Sequence, residues 1–386
     1  MNLIKNLNLV QNTMHIAIIG AGVSGLLTAL ELIEQGCTVT IFDQQQAGHA
    51  ASWAGGGILS PMYPWRYPRE VNHLAQYGKS MYQQWNQKLF PKTSIDFQIH
   101  ETGMLIFDEA DFEIGLNYKD TYNEPMQHCE YLQREQLEQI NPHISQQFQQ
   151  AIYFPQLANV RNPRLLKSLI TYLKQHPKVE VIENTWIEKF NIYNNHIQSV
   201  QTSNAKHYQA DQFVITTGAW SNCWSEQLQL SIPVEPVQGQ MLLFKTPENW
   251  LPTMCMNKVM YLIPRTDGHV VCGSSMDHLG FDRRPSVQTQ QNIYKACVEM
   301  VPELANFPIV KQWAGLRPSS PTGIPYIGQM PEIENLWANF GHYRNGLCMG
   351  PASAQLLRQL MLKQQTLVDA TAYSPQRLKS SLANVV

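Results

Sequence analysis

Two short apolar runs, His15 to Ile19 and Thr38 to Phe42, bracket a stretch in which Leu26, Leu27, Leu30 and Ile33 recur at helical spacing before Gly36. Period and stop signal predict strand, helix, strand. A buried-strand pattern returns at Gln212 to Thr217 and closes on Gly218. Gln238 to Lys245 and Met260 to Pro264 read as strands, and Asp267-Gly268 reads as a hairpin turn into Val270 to Gly273. An apolar pattern from Ala352 to about Leu362 predicts a helix with Pro351 in its first turn. Ala50 to Ile58 fits neither period. Gly55, Gly56 and Gly57 cost backbone entropy and supply no side chains to pack, so neither a stable helix nor a central strand is expected there.

From Lys92 to Phe154 the glycine signals thin out while Gln, Glu and aromatics rise, and a second change falls near Ile232-Pro233. The expected fold class is α/β (α+β overall). A Rossmann-like dinucleotide-binding domain is expected over 14–91, 155–231 and 315–372. An antiparallel-sheet domain, 92–154 and 232–314, is inserted into it. Residues 1–13 and 373–386 are expected to be tails.

Composition narrows the function classes. The 386 residues are 44% hydrophobic and 15% charged, with a net charge of −2. That leaves no basic face for nucleic acid and no cationic run for an anionic membrane. No apolar stretch reaches the roughly 18 residues of a membrane helix, so no stable insertion is expected. None of the seven cysteines forms a C-x-x-C pair, which argues against a metal centre; they read as reduced thiols of a cytoplasmic protein.

Gly20-Ala21-Gly22-Val23-Ser24-Gly25 follows the first strand and opens the helix. Gly20 permits the tight turn, Gly22 lets main chain approach a pyrophosphate, and Gly25 lets helix pack on strand. Unpaired N–H groups at the helix start then face the phosphates. Asp43, at the end of the second strand, suits the ribose hydroxyls. This unit does not choose between nicotinamide and flavin dinucleotides. The glycine run at 55–57 favours a flat ligand that main chain must approach closely, with Ser52 in reach of a phosphate. Arg317 ends an apolar strand, and Arg344 stands between Gly341 and Gly346. A guanidinium in such company needs an anion, which a small carboxylate or a structural ion pair would supply. Strand alternation points Val259, Tyr261 and Ile263 to one face, where a tyrosine suits a core.

Ser-Trp-Ala-Gly-Gly-Gly-Ile-Leu-Ser-Pro-Met-Tyr-Pro-Trp-Arg-Tyr at 52–67 resembles the glycine oxidases of thiamine biosynthesis, within the D-amino-acid oxidase family of FAD enzymes. Trp313 to Pro318 and Gly341 to Gly346 resemble the corresponding segments closely, and the likeness runs from about Met14 to about Leu362. The resemblance implies an FAD-binding domain, a substrate domain, and FAD held noncovalently, since no cysteine stands at Leu316-Arg317-Pro318. Carried over by position, Gly20, Gly22, Val23, Ser24, Gly25, Asp43, Gln44, Ala51, Ser52, Gly56, Gly57, Ile58, Ile187 and Gly218 would hold the cofactor. So would His342, Tyr343, Arg344, Asn345, Gly346, Leu347 and Cys348. Arg317 would anchor the substrate carboxylate, Tyr261 would hydrogen-bond it, and Arg344 would line the site.

The implied reaction is hydride transfer from the α-carbon of glycine, or of sarcosine or a small D-amino acid, to FAD. O2 would be the acceptor, and no side chain need act as acid or base. The imine would hydrolyse to glyoxylate and ammonia or pass to a thiazole synthase. A D-amino-acid dehydrogenase feeding a quinone is the alternative, and a homo-oligomer stays open.

Overall fold

The computed structural model describes residues 13–118 and 128–378. Most of the tail expected at 1–13, and the part of the C-terminal tail from 379 onward, lie outside the described residues.

Five parallel strands form the frame that carries the glycine turn. In order these are Leu336–Phe340, Gln212–Ile215, His15–Ile19, Thr38–Phe42 and Val179–Ile182, with Tyr326–Gln329 antiparallel at the edge beyond Leu336–Phe340. Their side chains are mostly apolar on both faces in the central strands, as strands covered on both sides require. The helix Val23–Ile33 is buried along almost its whole length between this sheet, the helix Asn162–Gln175 and the helix Gly346–Met361. Asn339 donates to the Thr28 hydroxyl at 3.1 Å, and Arg358 pairs with Glu31 at 3.0 Å, tying helix to sheet and helix to helix.

A second sheet has eight strands. In order they are Ile309–Ser319, Glu235–Lys245, His269–Gly273, Tyr261–Pro264, Met254–Met256, Met104–Ile106, Gln150–Phe154 and Glu130–Gln133. Pairing is antiparallel except between Met254–Met256 and Met104–Ile106. Alternation gives its two faces different work. Leu242, Phe244 and Leu262 turn to one face, under the helix Val287–Met300. Met241, Tyr261 and Ile263 turn to the other. Val259, expected to share that face, lies before the strand and is exposed.

Two further expectations need correction. The segment from Ala50 does contain a helix, the single turn Ala51–Ala54. It stops where the glycines begin. The C-terminal helix starts at Gly346, six residues before the expected Ala352, and carries Pro351 inside it. Pro351 lacks the N–H that would bond the Leu347 carbonyl four residues back. The Tyr82 hydroxyl donates to that carbonyl at 3.0 Å instead, which removes the main objection to a proline there.

Candidate active site

The carboxyl ends of the parallel strands converge on one cleft of about 1740 Å³, part of it open to solvent. Ile19, Phe42, Thr216 and Phe340, at or just past four strand ends, all line it, which is where open α/β sheets bind ligands. At the glycine turn Gly20 has φ +111°, and a Cβ there would sit 2.5 Å from the Thr216 carbonyl oxygen. A Cβ on Gly25 would lie 1.9 Å from the Gly20 oxygen. Gly25 therefore serves close packing and stands behind the cleft wall. The Val23 N–H donates to Ser52 Oγ at 2.9 Å, which ties the glycine segment to the helix start.

Asp43 also lines the cleft, and it clamps the turn: its carboxylate accepts from the Ala21 N–H and the Gln45 N–H, each at 2.8 Å. Burial raises its pKa, while those two N–H donors oppose the rise. Gly218 has φ +54°, and no atom lies within 4 Å of where a Cβ would point.

The segment Ala51 to Ile58 is held from outside. Asn162 Nδ2 donates to the carbonyls of Ser52 at 3.0 Å and Gly55 at 2.8 Å. Trp313 Nε1 donates to Ala54 at 2.9 Å, and the Val160 N–H to Gly57 at 2.8 Å. By contrast, the N–H groups of Gly56, Gly57 and Ile58 donate to no acceptor among the described residues. Gly57 is buried and Gly56 and Ile58 are partly so; main-chain donors withdrawn from water are nearly always paired, so a ligand with acceptor atoms along one edge suits them. A Cβ on Gly57 would meet the Val160 oxygen at 2.1 Å, and φ is +87°. A flavin ring, flat and edged with carbonyl oxygens and ring nitrogens, fits this wall.

Arg317 is reached from the second sheet. Nη1 donates to the Gln238 and Ser275 carbonyls at 3.2 and 3.1 Å, and Nη2 to Ser274 Oγ at 2.5 Å. None of these partners is an acid. Burial lowers its pKa; the nearby Arg344 adds to this, and Tyr261 opposes it. Room for the guanidinium comes from Gly239, where a Cβ would lie 2.2 Å from Nη2. Arg344 reaches the Met276 and Met62 sulfurs at 3.7 and 3.8 Å, and no acid pairs with it among the described residues. The Tyr261 hydroxyl lies 3.5 Å from the Met241 sulfur. Two guanidiniums and a phenol thus share a wall with thioethers, and among the described residues no carboxylate pairs with them.

The structure brings Gly20, Gly22, Val23, Ser24, Asp43, Gln44, Ala51, Ser52, Gly56, Gly57, Ile58, Ile187 and Gly218 to the cleft. His342, Tyr343, Arg344, Asn345, Gly346, Leu347, Tyr261 and Arg317 line it as well. Cys348 does not: it is buried, with its thiol on the Asn345 carbonyl at 3.2 Å and its pKa pushed up to about 12 by burial. His342 is buried too. Its Nε2 sits 3.0 Å from Ser353 Oγ, and burial pushes its pKa down to about 4. Sequence reasoning missed Met62, Thr216, Trp220, Gly239, Met241 and Ser274, which all line the cleft. Thr216 and Trp220 flank Gly218 and were within reach of the motif. Gly239 opposes Gly315 across two strands, and only the register reveals it.

Comparison with known proteins agrees with this geometry. The chain is 41% identical to a glycine oxidase of Pseudomonas putida over 94% of its own length and 98% of that protein's. It is 28% identical to the bifunctional protein ThiO/ThiG of Trichormus variabilis, over 92% of this chain and 53% of that one. Its structure superposes on that of glycine oxidase from Geobacillus kaustophilus with a TM-score of 0.86 and 26% identity, covering 95% and 99% of the two chains. The pattern of the DAO family matches residues 15–360. A chain with this cleft and that match belongs to the DAO family of FAD-dependent oxidoreductases.

Proposed function

We propose that the protein oxidises glycine, and more slowly sarcosine or small D-amino acids, to the imine, with FAD as hydride acceptor and O2 as final oxidant. The observation that carries this reading is the pair Arg317 and Arg344, which reach the same cleft beside the glycine run with no acid among the described residues to neutralise them. A planar carboxylate matches the guanidinium fork. Tyr261 donates a third hydrogen bond to that carboxylate. Met62 and Met241 line the same cleft.

When bound, FAD supplies the two-electron acceptor. The chain's own share is positioning and charge. Arg317 and Arg344 would fix the carboxylate of a bound substrate. The N–H groups of Gly56 to Ile58 would hold the cofactor. His342 is not poised to take an α-proton: it spends its Nε2 on Ser353, and burial keeps it neutral. The start of the helix Gly346–Met361 adds partial positive charge to the cleft.

Gly20, Gly22, Ser24, Asp43 and Ser52 are assigned to the dinucleotide end, and Gly56 to Ile58 and Tyr343 to Leu347 to the flavin end. The likeness to a ThiO/ThiG fusion supports a role in supplying the imine for the thiazole of thiamine, with a thiazole synthase as acceptor. All seven cysteines are free, which suits a reducing compartment, and we assign the protein to the cytoplasm. An oxygen-electrode screen against glycine, sarcosine and D-alanine tests the reading. Fastest O2 uptake is expected with glycine. A flavin that these amines reduce, but that only a quinone analogue reoxidises, would favour a dehydrogenase instead.

A further inference from the structure

Arg265 follows the strand Tyr261–Pro264, and its side chain turns inward until only 6% of the residue is exposed. Nη2 donates to the Gly56 carbonyl at 2.7 Å. Nη1 donates to the Val160 carbonyl at 3.0 Å and to the Asn159 side-chain oxygen. No carboxylate pairs with it among the described residues. Asp267, the acid that acts on it through space, is taken by Arg161 at 2.7 Å and His269 at 2.9 Å. Burial, reinforced by the Arg161 charge, pushes its pKa down to about 9, so the group remains a cation at neutral pH. His100 is held below its ordinary range by burial and then by Arg265 itself, so it adds no second positive charge beside the guanidinium.

A buried cation without an anion is costly, and an apolar side chain of similar length would be easier to bury. Its grip explains its presence. The carbonyls of Ser52, Ala54, Gly55 and Gly57 are drawn outward by Asn162, Trp313 and the Val160 N–H, and Arg265 does this for Gly56. Among these donors Arg265 alone is charged. Its charge stands one peptide group behind a wall whose N–H groups are open to the cleft.

We propose that Arg265 is a positioning residue that turns the Gly56 carbonyl out of the cleft, and that its charge, relayed through that peptide, stabilises the flavin states that carry extra negative charge. This rests on FAD occupying the cleft, and the wild-type protein tests that first: fewer than one FAD per chain removes the cofactor reading and this proposal with it, whereas a defect confined to the variants bears on Arg265 alone.

The test then compares Arg265→Met, Arg265→Gln and Arg265→Lys at full FAD occupancy. It reads the two-electron potential of the bound flavin and its affinity for sulfite, which adds negative charge to the oxidised ring. Sulfite binding is expected to weaken at least tenfold in the Met and Gln variants. A tenfold change in the two-electron equilibrium lowers the potential by about 30 mV. The Lys variant, charged but without the fork, is expected to recover most of both. Gln keeps donors without charge and needs less burial energy, so it carries the test should the Met variant not fold. A wild-type potential and sulfite affinity in the Gln variant would overturn the proposal. So would a Lys variant as impaired as Gln, since that would leave only geometry at work.

Discussion

Replacing Arg317 with Met removes the cation best placed to hold a carboxylate while keeping a flexible chain of similar reach. Among the described residues the guanidinium has no acid partner; it donates to two carbonyls and the Ser274 hydroxyl. Substrate would therefore provide its only anion. At about 4 Å and an effective dielectric constant near 20, two unit charges interact by about 4 kcal/mol. Breaking a buried pair of this kind costs about 3–5 kcal/mol. Arg344 remains to share the carboxylate, so the lower end applies. About 3 kcal/mol corresponds to a loss of more than a hundredfold in kcat/KM.

Initial rates of O2 uptake over a range of glycine concentrations read this directly, and most of the loss is expected in KM. Because the variant no longer buries a charge, its melting temperature should not fall, and the flavin spectrum should be unchanged. Wild-type kinetics on glycine would remove Arg317 from the site. Loss of FAD or of folding would show that Arg317 serves the sheet instead.

Asp43→Ala is expected to weaken FAD binding at least tenfold in a titration of apoprotein. A charge-assisted acceptor is worth about 1.5–3 kcal/mol, and the same carboxylate clamps Ala21 and Gln45. Gly239→Ala would place a Cβ 2.2 Å from Arg317 Nη2, so the guanidinium must shift, and KM for glycine should rise while FAD stays bound. His342 contributes to acid lability. Its folded pKa, about 4, lies below the ordinary 6.5, so the unfolded chain binds a proton more readily between these values. Stability from this group is complete above pH 6.5 and is lost as pH falls toward 4, by about 3 kcal/mol. Urea unfolding at pH 7 and pH 5 should show a smaller drop in His342→Gln than in wild type.

The parts that were legible in the sequence are those whose chemistry is local. The glycine turn, its helix and Asp43 lie within 24 residues, and Gly25 answers to Gly20 in the same unit. The two arginines stood out because apolar residues surround them. What could not be read depends on pairing between distant segments. Gly239 matters because Val237 pairs with Arg317, which brings Gly239 under the guanidinium. Arg265 matters because its turn packs on Gly56, 209 residues away. The start of the last helix was misplaced because Gly346, Gly350 and Pro351 read as breakers. Tyr82 supplies the missing donor to the Leu347 carbonyl, and Gly350 lets Leu27 approach to 3.2 Å of where a Cβ would be. Neither helper lies near the helix in sequence.

Anaerobic mixing with glycine, followed by admission of air, tests the central claim most directly. The flavin absorbance should bleach on mixing and return within the time of mixing air, with one H2O2 and one ammonia released for each glycine consumed. A flavin that neither glycine, sarcosine nor D-alanine bleaches would contradict the account.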